Sequence, residues 1–233
     1  MKKTLLLAAA AALALSASGI TSAAGPAPSA SSLGHASKAK PFSLNNGQAV
    51  LHDQNNNDSG IGIVSQNFEA SFDAYDAQGA DDFAVPTGQC WKIKEVDVTG
   101  VYFNGPGPAA SVHVTFYKQK AGAPNEAAII ADFPAIVPTD VGGSFAILLP
   151  TGVKAKSGKK YWVSVQANMD FAVGGEWGWE TTTSLSGTGA MWKNPGGGFG
   201  TGCSAYGDMV TCIGALGQGP DYMFALKGKS TSC

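Results

Sequence analysis

Hydrophobic and polar residues alternate along several short stretches of this chain, and glycine and proline separate these stretches. In residues 161–167 every odd position is Tyr, Val or Ala, and residues 112–117 and 222–226 show the same period of two. Successive side chains of a β-strand point to opposite faces, so this period indicates half-buried strands. Short strands with turns at this spacing predict an all-β fold, an antiparallel β-sandwich of the jelly-roll kind.

The stretch Tyr161–Glu180 lies at the centre of the predicted fold. Trp177 and Trp179 share one face of its second half, and the pair Gly174-Gly175 precedes them. Glycine accepts positive φ without a steric clash, so this pair predicts a tight turn. We therefore predict a β-hairpin of two aromatic-rich strands.

A change of phase interrupts another predicted strand. Apolar residues occupy odd positions at 91 and 93 but even positions at 96 and 98. One extra residue in a strand reverses the face of every side chain that follows, so we predict a β-bulge near Lys94 and Glu95.

The first 24 residues have the parts of a secretory signal peptide. Lys2 and Lys3 give a positive start, Leu5–Leu15 is apolar, and small residues end at Ala24. The apolar run is too short to span a bilayer, so we expect cleavage after Ala24 and not an N-terminal membrane anchor. The protein is then secreted, to an extracellular or periplasmic location.

The segment between the signal peptide and the first predicted strand is rich in Ser, Ala, Pro and Asn. Such a composition buries little apolar surface. We predict a flexible linker over residues 25–60 and a single β-sandwich domain over residues 61–233.

The chain contains four cysteines, which in an exported protein indicate two disulfides. Cys203 and Cys212 are close in sequence, which favours a local bridge. Cys90 would then pair with Cys233, although the two other pairings remain open.

The charge and the composition of the chain exclude some classes of partner from our expectations. All fifteen basic residues are Lys, and loss of Lys2 and Lys3 changes the formal net charge from −2 to −4. Arg is the preferred bidentate reader of phosphate and guanine, so we do not expect a nucleic-acid partner. No later run is long and apolar enough to predict a membrane span.

Four phrases of the sequence together resemble a recurrent β-sandwich domain of bacterial secreted proteins. The resemblance covers essentially all of Ile61–Lys227 and implies an extracellular sandwich, alone or beside other modules. It implies no catalytic residue set. The phrases are Ser65–Pro86, Val96–Tyr117, Tyr161–Glu180 and Asn194–Cys203.

Aromatic and polar residues near the predicted hairpin suggest a glycan site. Flat rings cover the apolar faces of sugars, and neighbouring amides and carboxylates hydrogen-bond their hydroxyls. The alternative interpretation places Trp177 and Trp179 in the core, which leaves Trp192, in a predicted exposed loop, as the better ligand contact. The predicted ligand-binding residues are Trp192, Trp177, Trp179, Glu176, Glu180, Asn194 and Tyr206.

Four aspartates, Asp73, Asp76, Asp81 and Asp82, lie close together in the sequence. Hard cations collect carboxylate oxygens, so the cluster suggests a structural Ca²⁺ ion. The other interpretation is a solvated acidic loop. We expect no other cofactor.

Hydrolytic chemistry finds little support in the residue pattern. Of three histidines only His113 lies outside the predicted linker, and there is no Gly-x-Ser-x-Gly motif. Glu176 and Glu180 share a strand face but would lie ~13 Å apart, beyond the usual separation of glycosidase carboxylates.

We therefore predict a secreted, non-catalytic β-sandwich that binds a glycan or cell-surface polymer. One alternative is an extracellular structural or matrix protein that binds another protein. The other is a glycan hydrolase with dispersed carboxylates.

Overall fold

A computed structural model describes residues 27–214 and 218–233. Strands make up 53% of the chain and helices 9%, which confirms the predicted all-β class. The predicted signal peptide, residues 1–24, lies outside the described residues.

The strands are short, and most are separated by a few residues. Two four- to five-residue helices, α1 (Phe171–Gly174) and α2 (Met209–Ile213), and two 3₁₀ segments, Ala30–Ser32 and Ala70–Tyr75, interrupt them. In chain order the strands are β1 (Gly34–Ala36), β2 (Ala49–Asp53), β3 (Asp58–Val64), β4 (Gln66–Asn67), β5 (Gln78–Ala84), β6 (Gln89–Val98), β7 (Gly100–Phe103), β8 (Ser111–Lys120), β9 (Ala123–Ile136), β10 (Thr139–Val141), β11 (Ser144–Ala155), β12 (Lys160–Asn168), β13 (Glu176–Thr182), β14 (Met191–Lys193), β15 (Gly207–Asp208), β16 (Asp221–Tyr222) and β17 (Phe224–Ser232).

Three sheets, which we call A, B and C, pack around one core. Sheet A has the order β1-β3-β13-β16, with β7 also paired to β13. Sheet B has the order β10-β11-β6-β17-β2, and sheet C has the order β15-β14-β5-β12-β8-β9 with β4 beside β12. All pairs are antiparallel except β4 with β12, which is parallel.

Sheets A and B continue into each other along two neighbouring segments of the chain. Single residues, Thr99 and Met223, separate β6 from β7 and β16 from β17. The backbone N–H of Thr99 donates to the carbonyl of Met223 at 3.1 Å, so the two junction residues lie side by side where the chain passes from one sheet to the other. The apolar faces of all three sheets contribute to a single hydrophobic cluster.

Strand β12 has the predicted face in the core. Tyr161, Val163, Val165 and Ala167 are all buried in the main cluster. The predicted hairpin with the following strand is wrong, because β12 lies in sheet C and β13 lies in sheet A. Between them the chain forms α1, and Gly175, at φ 80°, ends the helix. A Cβ at Gly175 would stand 2.3 Å from the backbone nitrogen of Gly105, so glycine permits this crossing between sheets.

The predicted bulge in β6 is confirmed. Glu95 pairs with Lys227 and Ile93 pairs with Gly228, so Lys94 is the extra residue. On the other side of β6 the register also changes, but there Glu95 pairs with Leu148 and Ile93 with Val153, so β11 carries the extra residues. Because of this bulge, residues 91, 93, 96 and 98 all lie in the core.

The structure differs from the predicted linker over residues 25–60. Strand β1 pairs with β3 at the edge of sheet A, and β2 pairs with the last strand, β17. The polar residues of the tract serve the fold: Gln54, 4% exposed, donates to Asp81 Oδ2 and to the carbonyl of Tyr222, both at 2.8 Å. The polar composition of residues 25–60 therefore did not indicate the strands that form there, because its amide side chains hydrogen-bond to buried acceptors instead of remaining in solvent.

Both predicted disulfides are confirmed. Cys203 bonds to Cys212, and Cys90 bonds to Cys233. The first bridge lies in the segment 181–212, whose sequence rich in Gly, Ser and Thr predicts a long ordered loop; the structure forms β14, β15 and part of α2 there.

Candidate functional site

The three predicted ligand-binding tryptophans are core residues. Trp177, Trp179 and Trp192 have no exposed surface. Their indole N–H groups donate to the backbone carbonyls of Gly143, Met223 and Val64, at 2.6, 2.9 and 2.8 Å respectively.

The prediction that Trp192 lies in an exposed loop is wrong. The residue is the middle of β14, a three-residue strand that pairs with Gly79 of β5. Its ring packs against the ring of Phe199, with centroids 6.1 Å apart. No aromatic surface for a sugar forms from the three rings in this conformation.

The polar members of the predicted glycan site also have structural partners. Asn194 donates to the carbonyls of Ala74 and Asp76, each at 2.8 Å, and joins the turn after β14 to the 3₁₀ segment. The ring of Tyr206 meets that of Tyr117 edge-on, at 6.1 Å between centroids, and lies 4.5 Å from the Lys193 Nζ. These residues therefore fix loops and do not converge on a cavity.

Glu176 and Glu180 are fully buried on the outer face of β13. Glu176 accepts hydrogen bonds from Ser32 Oγ at 2.7 Å and from Asn104 Nδ2 at 2.5 Å. Burial raises the pKa of each carboxyl to about 7, and the hydrogen bonds to Glu176 oppose that rise. Neither carboxyl reaches an open groove, as a glycosidase acid would have to.

The four aspartates of the predicted calcium cluster are not brought together. Asp81 and Asp82 lie in β5, where successive side chains point to opposite faces. Asp82 Oδ2 pairs with the Lys160 Nζ at 2.8 Å, and Asp76 accepts from the backbone N–H of Phe68 at 2.8 Å. Asp73 is exposed. Within the described part of the chain, no three His, Cys, Asp or Glu side chains gather as metal ligands.

His113 contacts a carboxylate, but the arrangement is not a catalytic triad. Its Nε2 lies 2.6 Å from Asp132 Oδ1 and 3.1 Å from Thr115 Oγ1. In a triad the two partners approach different ring nitrogens. The side chains of His113 and Asp132 are 28% and 45% exposed on a strand surface.

Lysines gather instead in two adjoining cavities at one end of the sandwich. The cavities have volumes of about 480 and 400 Å³ and share the lining residues Lys154 and Lys156. Seven of the fifteen lysines of the chain line them, and neither lining includes an Asp or Glu. We call this pair of cavities the lysine groove, and its lysines are Lys92, Lys118, Lys154, Lys156, Lys159, Lys160 and Lys229.

Three of these lysines form a row across sheet B. Lys154 pairs with Lys92, and Lys92 pairs on its other side with Lys229. All three side chains are exposed. Like charges directly opposite one another on neighbouring strands repel, at roughly 0.2–1 kcal/mol for each pair. Among the ion pairs of the described residues, only Lys160 of the groove has a carboxylate partner.

The backbone around the groove is well fixed. The Tyr161 hydroxyl accepts from the backbone N–H of Lys156 at 3.0 Å, and Val85 exchanges hydrogen bonds with the turn that carries Lys159. The disulfide from Cys90 to Cys233 joins the end of β17 to the start of β6 beside Lys229. The groove thus presents a strip of positive charge on a rigid base.

Sequence reasoning missed this groove, although a signal is present. Lysines occur at the alternate positions 154 and 156, and others occur at 92, 118, 159, 160 and 229. A period of two places alternate side chains on one face. The row of Lys154, Lys92 and Lys229 forms only because of the register in which β11, β6 and β17 pair.

Three further cavities lie at the other end of β12. Their volumes are about 290, 400 and 560 Å³, and they are lined by aromatic and small polar residues around Phe171. Val173 is exposed at 75% between them. They contain no comparable concentration of charge.

Comparison with known proteins adds no family. No family model matches the sequence, and no curated protein is significantly similar to it. In residues 27–214 and 218–233, no helix has the length and apolar character needed to cross a membrane. The two disulfides fit a protein that matures in an oxidising compartment, such as the extracellular space.

Proposed function

We propose that this protein is a secreted, non-catalytic β-sandwich that binds an anionic glycan or another anionic cell-surface polymer through the lysine groove. The observation that carries the proposal is the row Lys154–Lys92–Lys229, which no carboxylate of the described residues neutralises.

The chemistry of the ligand follows from the side chains of the groove. Lysine is a compact cation that attracts carboxylate, phosphate and sulfate groups without demanding one bidentate geometry. Six groove lysines lack an ion-pair partner among the described residues, in a chain whose formal net charge is −2. A local positive patch on an acidic protein attracts polyanions and steers their approach.

The shape of the groove favours a linear polymer over a single small anion. The two cavities adjoin along Lys154 and Lys156, so the positive strip continues from Lys118 on sheet C to Lys229 on sheet B. Charged groups repeated along a polymer can each meet a lysine of this strip. Repeated weak contacts then add up through effective concentration.

Affinity electrophoresis tests this proposal. The mature protein is run through gels that contain a polyuronate, a sulfated glycan, a wall-type polyol phosphate, a neutral glucan or double-stranded DNA. We expect retardation by at least one anionic polymer of the first three and none by the neutral glucan. Retardation by the neutral glucan alone, or by DNA as strongly as by every glycan, would refute it. Binding only to an extracellular protein would favour the structural alternative, and turnover of any glycan would favour the hydrolase.

A further inference from the structure

A second site lies away from the lysine groove, on the outer face of sheet A. Glu180 is fully buried, and neither of its carboxylate oxygens has a hydrogen bond of normal geometry among the described residues. A buried carboxylate without a hydrogen bond or counterion is among the most costly groups that a fold can contain.

A second carboxylate faces Glu180. Thr182 shares the face of Glu180 on β13, and its partner on β3 is Asp58. Burial raises the pKa of Glu180 to about 7. The nearby hydroxyl of Ser37 opposes that rise, whereas both the negative charge and the close approach of the Asp58 carboxyl add to it. No Lys or His of the described residues forms an ion pair with either carboxylate.

The register between β13 and β3 changes at this point. Glu180 pairs with Gly62 and Thr182 pairs with Asp58, so β3 carries the extra residues and bulges between Asp58 and Gly62. Gly62 has no side chain; a Cβ there would lie 2.9 Å from Val101 Cγ1 and 3.5 Å from Glu180 Oε1, so glycine lets the Glu180 carboxyl lie against the backbone of β3. Asp58 Oδ1 accepts from the backbone N–H of Gly60 at 2.7 Å, which fixes that carboxyl and leaves its second oxygen without a hydrogen bond among the described residues.

We propose that Glu180 and Asp58 bind a divalent cation, Ca²⁺, with the hydroxyl of Ser37 and water completing its oxygen ligands. Ca²⁺ takes six to eight oxygen ligands, including mono- or bidentate carboxylates, carbonyls and water. A neutral hydroxyl oxygen, such as that of Ser37, can occupy one of these positions. Such an ion would neutralise both carboxylates and supply the partner that the two oxygens of Glu180 lack.

The proposed ion differs from the one predicted from the sequence. The predicted cluster lies in Asp73–Asp82, whereas this site joins the start of β3 to the end of β13. It also covers β1, because Ser37 follows that strand and donates its backbone N–H to the carbonyl of Gly60. The ion would therefore fasten the N-terminal strand to sheet A.

Calcium titration of the full mature protein tests the proposal, with two readouts. After treatment with EDTA, the melting temperature is measured with and without CaCl₂. We expect a rise of about 3–6 °C at a concentration ten times the dissociation constant, for a domain of this size. Terbium, excited through tryptophan, should luminesce and be displaced by Ca²⁺, because Trp179 adjoins Glu180 in β13.

Substitutions of the proposed ligands test where the ion binds. Glu180→Gln and Asp58→Asn should each abolish both responses, whereas Glu176→Gln, another buried glutamate on the same strand face, should retain them. Glu180→Gln should also melt above the wild type in EDTA, because it removes a buried charge. If that variant does not fold, Asp58→Asn, at a partly exposed position, carries the test. Absence of both responses in the wild type, or their persistence in both ligand variants, would overturn the proposal.

Discussion

Glu176 provides a direct test of how burial and protonation determine the stability of this fold. Its carboxyl is fully buried and accepts from Ser32 and Asn104. Burial raises its pKa from 4.5 to about 7, against the effect of these two hydrogen bonds. Glu176→Gln replaces the carboxyl with a neutral group of the same shape, which both neighbours can accommodate by rotating their own polar groups.

The sign of the effect follows from proton binding. Between pH 4.5 and about 7 the folded state keeps a proton on Glu176 that the unfolded state has released. The free energy of unfolding therefore falls as the pH rises through this window. The span from 4.5 to about 7 corresponds to roughly 3 kcal/mol, at ~1.4 kcal/mol per pH unit, as an upper estimate.

Urea unfolding followed by tryptophan fluorescence measures this difference at pH 4.5 and pH 8. We expect the wild type to lose up to about 3 kcal/mol relative to Glu176→Gln between the two values. Asp132→Asn is the control of opposite sign. Burial raises the pKa of Asp132, but the hydrogen bonds from His113 and Thr115 outweigh burial and leave the pKa below its ordinary value. The small contribution of Asp132 to the free energy of unfolding therefore declines at acidic pH. If the wild type gains stability relative to Glu176→Gln as the pH rises, the reasoning is refuted.

Two further predictions concern the core and the disulfides. Trp192→Ala should cost about 3–5 kcal/mol of stability, measured by urea unfolding, and leave retardation by an anionic polymer unchanged in the folded fraction. Loss of retardation without loss of stability would return Trp192 to the ligand site. Replacement of Cys90 and Cys233 by serine should cost more than replacement of Cys203 and Cys212, about 5 against 3 kcal/mol, because the bridges span 143 and 9 residues. Equal losses would contradict a stabilisation governed by loop length.

The alternation of apolar residues was sufficient to predict strands β8 and β12 and the face of β12 that enters the core. The change of phase at Lys94 predicted the bulge for the same reason, since each residue inserted into a strand reverses its faces. The cysteine spacing predicted both bridges. Alternation and the change of phase are local features of the sequence, and the disulfides follow from the number and spacing of the cysteines. None of these predictions depends on which strands become neighbours.

The errors arose where strand pairing decides the outcome. Adjacent strands β12 and β13 were predicted to pair, but they enter different sheets because α1 and Gly175 redirect the chain. Trp192 was predicted to be exposed because glycine, serine and threonine surround it, yet a three-residue strand places it against β5. The lysine groove likewise depends on the register of three strands that are distant in sequence.

The groove is tested most directly by the affinity of matched lysine variants for one anionic polymer that retards the wild type. Lys92→Gln with Lys154→Gln removes two charges from the row, and Lys38→Gln with Lys40→Gln removes two exposed charges outside both cavity linings. Titration calorimetry at low and high salt should show at least a tenfold loss of affinity for the groove variant and about threefold or less for the other. Salt should weaken polymer binding most in the wild type, because screening acts on the attraction between the groove lysines and the anionic groups of the polymer. Equal affinities for the two variants, or binding that salt does not weaken, would contradict the assignment of the groove.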